Sequence, residues 1–445
     1  MLNFPKGFFT DIRTENICET RICYTNGKIE SSKEKEENGA FIRVYDGKRW
    51  YYSSVTDIKN IEGDIKNLSK YGTPCSNIEE NPLVKKFQTN KGNYIKFEEK
   101  NVSKISVEEK KNLLESLFPA LESCKYLKMW QAQYIDERKI KHIISSKGTD
   151  ITFDTQRCGL AISLSFADGD KKFKDMFSVC SSYFEDLTNK KDELSKYIEK
   201  CVDFLENSKP VKPGKAAVIL SPMASGIFAH ESFGHKSEAD FMVGDETMIK
   251  EWTIGKKVGS SILSIVDDGN ELGSGYTPFD DEGTKAEKTF LIKDGLLAGR
   301  LHSSATAEAL SEELTGNARA ISYEYEPIVR MTTTYILPGH KTFDELVSGV
   351  KDGYFIDTIS HGSGMSTFTL APLMSYRIRN GKIAEPVQIS VISGTVFETL
   401  SNIDGVSDKI KLASPVTGGC GKGEQYPLAV GFGGPYVRIK NMNVQ

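Results

Sequence analysis

The sequence predicts an α+β fold: an N-terminal sheet-and-helix domain followed by a β-rich metal-binding domain. Three observations carry that expectation. Tight-turn signals separate short β patterns near the N-terminus. Two later stretches show helical periodicity. Past residue 214, glycine becomes dense and short β runs replace long helices.

The elements follow in order. Residues 18–24 have a short strand pattern, and Asn26-Gly27 is a hairpin turn signal. The charge run 31–37 reads as a solvated strand end or loop. Residues 40–45 and 49–53 flank Asp46-Gly47, a second tight turn. Ser106 is a candidate N-cap for a helix reaching residue 123. Val107, Leu113, Leu114, Leu117 and Leu121 recur there at three- and four-residue steps. Residues 140–146, 150–155 and 159–166 read as sheet, and 187–205 as helix. Lys209-Pro-Val-Lys-Pro-Gly214 carries two prolines and a glycine, which oppose regular structure. This divides the chain into domains 1–208 and 215–445. Beyond it, 261–267, 289–292, 331–337, 373–379 and 388–393 read as strands. No internal repeat interrupts the pattern.

The charge balance narrows the function. Lys and Arg total 57 against 61 Asp and Glu, giving a formal net charge of -4. No global positive field exists for nucleic acid or an anionic bilayer, so neither is an expected partner. No apolar run is long enough to span a membrane. The N-terminus lacks a basic region followed by an apolar core, so no secretory signal is expected. The eight cysteines form no C-x-x-C pair, which points to a reducing cytoplasm.

Two of the six histidines fall in His230-Glu231-Ser-Phe-Gly-His235, an H-E-x-x-x-H pattern. A buried-strand pattern at 216–220 precedes it, Ser221-Pro222 ends that strand, and Ser225 can cap the following helix. Histidines four apart lie within about 40° on an α-helix, whereas five apart gives about 140°. One ion therefore requires a distortion. A π-type turn would return His235 to the face of His230, or Gly234 would let the helix bend or stop.

A third ligand is needed, and Cys420 stands out among glycines in Gly418-Gly-Cys420-Gly-Lys422-Gly. It is expected on an exposed backbone of close approach, with Lys422 favouring the thiolate. Two imidazoles and a thiolate suit one Zn²⁺ with a position left for water. Glu231 is placed to take a proton as general base. Glu238 and Asp240 are candidates to orient the imidazole N–H groups. His302, His340 and His361 lack ligand spacing and read as structural or surface residues.

These residues resemble the TldD/PmbA family, the putative modulators of DNA gyrase, and its TldD-type zinc metallopeptidase subunit most closely. The segment His230-Glu231-x-x-Gly234-His235-x-x-Glu238-x-Asp240-Phe241 is similar to the family's metal segment, and Gly419-Cys420-Gly421-Lys422 to its downstream cysteine. Gly316-Asn317-Ala-Arg319, Arg330-Met331-Thr-x-Thr-Tyr335-x-Leu-Pro338-Gly339 and Tyr376-x-Ile-x-Asn380-Gly381-Lys382-Ile383 resemble further segments. The resemblance implies a zinc peptidase acting on short or unfolded peptides within an enclosed cavity. It implies a homodimer or a hetero-oligomer with a PmbA/TldE-type subunit. Asn317, Arg319 and Tyr323 are candidates for positioning substrate or stabilising an oxyanion. Two competing readings are a non-catalytic regulatory subunit acting through a protein partner, and a metal amidohydrolase with a small-molecule pocket.

Overall fold

The computed structural model describes residues 2–364 and 366–445. Its N-terminal sheet has seven strands: β1 (Phe9–Thr25), β2 (Lys28–Tyr45), β3 (Trp50–Val55), β4 (Lys91–Tyr94), β5 (Leu127–Ser145), β6 (Asp150–Asp168) and β7 (Lys171–Ser181). They lie in the order β3-β2-β1-β5-β6-β4, with β7 also paired to β6. Four of them are 17 to 19 residues long, far longer than the short runs expected. The charge run 31–37 lies wholly inside β2, opposite 17–23 of β1.

Period-two alternation explains these lengths. One face carries Ile22, Tyr24, Ala132, Tyr134, Leu160, Ile162 and Leu164, which pack on three helices. The other carries Arg13, Glu15 and Lys141, and both cations pair with Glu15 and with Asp281 from the second half of the chain. Charges on that face break the apolar runs by which strands are otherwise legible.

The expected helix 106–123 is two helices, Val107–Glu115 and Phe118–Glu122. Ser106 and Glu109 form a complete capping box at its start. Pro119 lacks the N–H needed to continue the first helix, so the chain restarts there. The next helix spans Lys191–Asn207, after a 3-10 turn over Phe184–Leu187.

The linker, expected from its prolines to lack regular structure, contains a short strand. β8 (Lys209–Pro210) pairs in parallel with Val387–Gln388. Pro210 is tolerated because this two-residue strand is the edge of its sheet.

The second half holds a ten-stranded and a six-stranded sheet. In the larger one, β9 (Gly214–Leu220) lies between Val437–Val444, antiparallel, and Asp352–Ile356, parallel. The smaller includes Ile265–Asp268, Lys288–Lys293, Thr333–Ile336 and Gly431–Gly434. Four expected strands match within a few residues. The fifth, 388–393, is interrupted, because Ser390 and Val391 both donate their backbone N–H to Gln445 O.

The helix Pro222–Ala229 leaves β9 and packs on Gly431–Gly434. Gly226 permits that approach, since a Cβ there would stand 2.3 Å from Gly433 N. Phe228, Phe233, Trp252 and Leu263 form the core behind the helix. Ile219, Leu346 and Tyr376 pack with Leu160 and Phe204, so apolar contact is continuous between the halves. Among the described residues, no helix is long and apolar enough to cross a membrane.

Candidate metal centre

Ser221 rather than Ser225 caps the helix: its Oγ accepts from Ala224 N, and Pro222 occupies the first helical position. Ser225 lies one turn inside, where its hydroxyl donates to Pro435 O at 2.8 Å. The sequence left both a π turn and a bend at Gly234 open. The chain forms a π-helix over His230–Gly234, followed by a 3-10 turn over His235–Ser237. The wider turn brings the two imidazoles to 5.1 Å between ring centroids.

Cys420 arrives on a separate two-stranded hairpin, Cys420–Lys422 with Gln425–Leu428. Its Sγ lies 3.4 Å from His235 Nε2. One ligand atom each from His230, His235 and Cys420 lies within 4.8 Å of the others. The thiol is buried in the apolar core, not exposed as its glycine neighbours suggested. Gly419 lets the two strands of the hairpin close on each other, since a Cβ there would stand 2.4 Å from Leu428 O.

The electrostatics favour a thiolate. Burial opposes it, yet hydrogen bonds from His230 and His235 outweigh burial and lower the Cys420 pKa to about 5. Burial likewise opposes charge on His235, but Cys420 and Glu238 raise its pKa to about 10. Lys422 is not the cause. Its ammonium donates to Glu238 Oε2 at 2.9 Å, Asp240 Oδ1 at 2.7 Å and Val329 O at 2.9 Å.

Glu238 is fully buried, with Oε2 at 3.4 Å from His235 Nδ1. Burial would raise its pKa, but His235 and Lys422 hold it below the usual carboxylate value. Asp240 is bound to Lys422 instead, and burial leaves its pKa raised. Glu231 is half-buried, next to His230, with its Cγ against Gly362 of the adjacent strand Ile359–Gly364.

The other candidates lie in the surrounding framework. Asn317 Nδ2 donates to Asp267 Oδ1 at 2.9 Å and Arg330 O at 3.0 Å. Arg319 donates to Met331 O and Ala429 O, and burial lowers its pKa to about 10. The Tyr323 ring packs on Gly39, where a Cβ would stand 2.2 Å from the ring. His302 is buried between Thr306 and Glu312, while His340 and His361 are exposed.

Arg330 went unnoticed as a site residue. It is fully buried, and its guanidinium donates to Cys420 O at 2.7 Å and Gln425 O at 3.2 Å. The available signal was an arginine inside the apolar run Ile328-Val-Arg-Met.

The donor set suits a borderline transition metal: two imidazoles and a thiolate, with His235 oriented by a carboxylate. His230 Nδ1 is buried without a hydrogen-bond partner among the described residues, so that ring retains an uncommitted nitrogen. Fold and site together define an α+β protein with a buried His–His–Cys cluster beside a glutamate.

Comparison with known proteins gives the family. The family description PmbA/TldA metallopeptidase C-terminal domain matches residues 213–445, and PmbA/TldA metallopeptidase domain 1 matches residues 10–70. This chain belongs to the TldD/PmbA metallopeptidase family. A metalloprotease of Synechocystis is 31% identical, with 98% of this chain and 94% of that protein covered. A protein named zinc metalloprotease TldD homolog, from Saccharolobus solfataricus, is 30% identical, covering 98% and 96%. The solved structure of a putative modulator of DNA gyrase from Thermotoga maritima superposes with a TM-score of 0.79 at 21% identity, covering 99% and 96%. TldE from Thermococcus kodakarensis gives 0.78 at 17%, covering 98% and 96%. These two structures share the fold.

Proposed function

We propose that this chain is a zinc-dependent peptidase hydrolysing short or unfolded peptides, with Glu231 as general base. The observation that carries the reading is the convergence of three ligand atoms within 4.8 Å, on the residue next to Glu231. His230, His235 and Cys420 would hold the metal, one ion per chain. When bound, zinc supplies Lewis-acid chemistry that makes water a nucleophile near neutral pH.

The chain's own groups do the rest. Glu238 fixes the His235 ring through Nδ1, leaving Nε2 on the Cys420 side. The Glu231 carboxylate takes the proton from the attacking water and passes it to the leaving amine nitrogen. Main-chain hydrogen bonds to a strand edge would hold an extended peptide with little side-chain preference. We further propose two domains, 1–208 and 215–445. The proposed setting is the cytoplasm, as a homodimer or with a PmbA/TldE-type subunit.

The test is peptide-cleavage mass spectrometry on a mixed set of unstructured peptides, with zinc-loaded wild type beside Glu231→Gln. Wild type should carry about one zinc per chain and cleave. The variant should keep zinc and lose about 10²–10⁴-fold in rate. An unchanged rate in the variant would sink the assigned base. No cleavage by wild type, alone or with a co-purified partner, would favour a binding role instead.

A further inference from the structure

We infer that Arg330, supported by Asn317 and Arg319, is the positioning residue for the third metal ligand. The inference rests on the metal reading above. Among the described residues, Cys420 sits on a hairpin that joins no larger sheet. A lone two-stranded hairpin is marginal in water. Glycines at 418, 419, 421 and 423 weaken it further. Something outside the hairpin must therefore fix the sulfur against the two imidazoles.

Arg330 does so with a planar fork. One nitrogen donates to Cys420 O at 2.7 Å, the other to Gln425 O at 3.2 Å, so the guanidinium spans both strands. Arg319 holds the exit of the hairpin through Ala429 O at 2.8 Å. Gln425 is tied to Glu326 O and Ile321 N.

Arg330 is itself held on both sides of its backbone. Its N–H donates to Asn317 O at 2.9 Å, and its carbonyl accepts from Asn317 Nδ2 at 3.0 Å. Asn317 in turn donates to Asp267, a buried carboxylate that also accepts from Thr332 and Thr334. The chain Asp267–Asn317–Arg330 thus runs from the six-stranded sheet to the metal-bearing hairpin.

Cost supports a geometric role. Among the described residues, neither Arg330 nor Arg319 has a carboxylate within ion-pair distance. A buried guanidinium without one is expensive, and an apolar side chain of like volume would cost less. What methionine cannot supply is two aimed donors, and lysine cannot supply them in a fixed plane.

The experiment is a Co²⁺ titration of the full chain against a competing chelator, followed by the thiolate-to-Co²⁺ charge-transfer band. Arg330→Met should lose about 10–100-fold in Co²⁺ affinity and most of the band, since the histidines remain while the sulfur drifts. Arg330→Lys should fall between Met and wild type. A folded Arg330→Met with unchanged affinity and band would overturn the inference. Should that variant fail to fold, Arg330→Lys decides, and wild-type affinity and band there would overturn it equally. Wild type lacking the band would instead overturn the Cys420 ligand assignment on which the inference rests.

Discussion

Replacing Lys422 with Met separates two accounts of that lysine. If it served the thiolate, its loss would touch Cys420 alone. The structure instead spends its ammonium on Glu238, Asp240 and Val329 O. Methionine keeps most of the aliphatic stem, so the variant removes charge with little change in volume. Glu238 has a fully buried side chain and the Lys422 side chain is 13% exposed, so breaking this pair belongs in the buried class, about 3–5 kcal/mol. Asp240 is 30% exposed, which limits its share to about 0.5–1 kcal/mol. His235 remains beside Glu238 and offsets part of the loss. The expected destabilisation at pH 7.5 is about 3 kcal/mol. The pH dependence follows from the carboxylates. His235 and Lys422 together hold the Glu238 pKa below its ordinary value against burial, so the part due to Lys422 is present above about pH 4.3 and lost as pH falls through the folded pKa. Without Lys422, both carboxylates protonate more readily, so the gap from wild type should narrow on acidification. The assay is urea unfolding of the metal-free protein at pH 7.5 and pH 4, followed by tryptophan fluorescence. A gap below about 1 kcal/mol at pH 7.5, or one equal at both pH values, would refute the argument.

Two further outcomes are expected. Burial, with Asp357 adding to it, raises the Asp175 pKa to about 6, so wild type loses stability as pH rises from about 4 to about 6. Asp175→Asn should therefore be about 1–3 kcal/mol more stable than wild type at pH 8 and no better near pH 4, by urea unfolding across that range. A difference independent of pH would show that the carboxyl does not titrate there. Gly362→Ala would place a Cβ 3.2 Å from Glu231 Cγ and 2.7 Å from Leu370 Cδ2. Peptide cleavage should fall about tenfold or more, as small misplacements of a catalytic group do, while zinc content stays at wild-type level. Unchanged cleavage would mean that the glutamate tolerates the added methyl.

What could be read from the chain depended on range. The π turn follows from five-residue spacing between two histidines asked to share an ion, a strictly local argument. The capping box at Ser106 and Glu109 is local too. Cys420 was visible through its glycine setting, but its burial was not, because the covering residues come from distant segments. Lys422 was assigned to the nearest thiol in sequence, whereas its partners lie 182 and 184 residues away. The long strands escaped because charged residues interrupt their apolar alternation, and three of these charges, Arg13, Arg43 and Lys141, are met by Asp281 and Glu282 from the other half. Asn317 and Arg319 stood out only through the resemblance of Gly316-Asn317-Ala-Arg319 to a family segment, and the structure commits their polar groups to the framework around the site.

Two proposed ligands on one helix and a third 185 residues later divide the work of building this site unequally. The helix is fixed by its cap, by Phe228 and Phe233 in the core, and by backbone contact at Gly226. The backbone that carries His230 and His235 is therefore expected to hold its place whether or not the hairpin is docked, although the His235 ring also leans on Glu238, which the hairpin's Lys422 holds. Cys420 depends on polar anchors: Arg330, Arg319, Gln425 and Lys422. Such anchors are directional, and each buried one is costly to leave unpaired. The hairpin is thus the part of the site that metal binding would stabilise most, because a thiolate–metal bond adds to anchors that are individually modest. Chelation should accordingly increase hydrogen exchange at 418–428 while leaving 222–235 protected. Equal loosening of both segments would mean that the helix, too, relies on the metal.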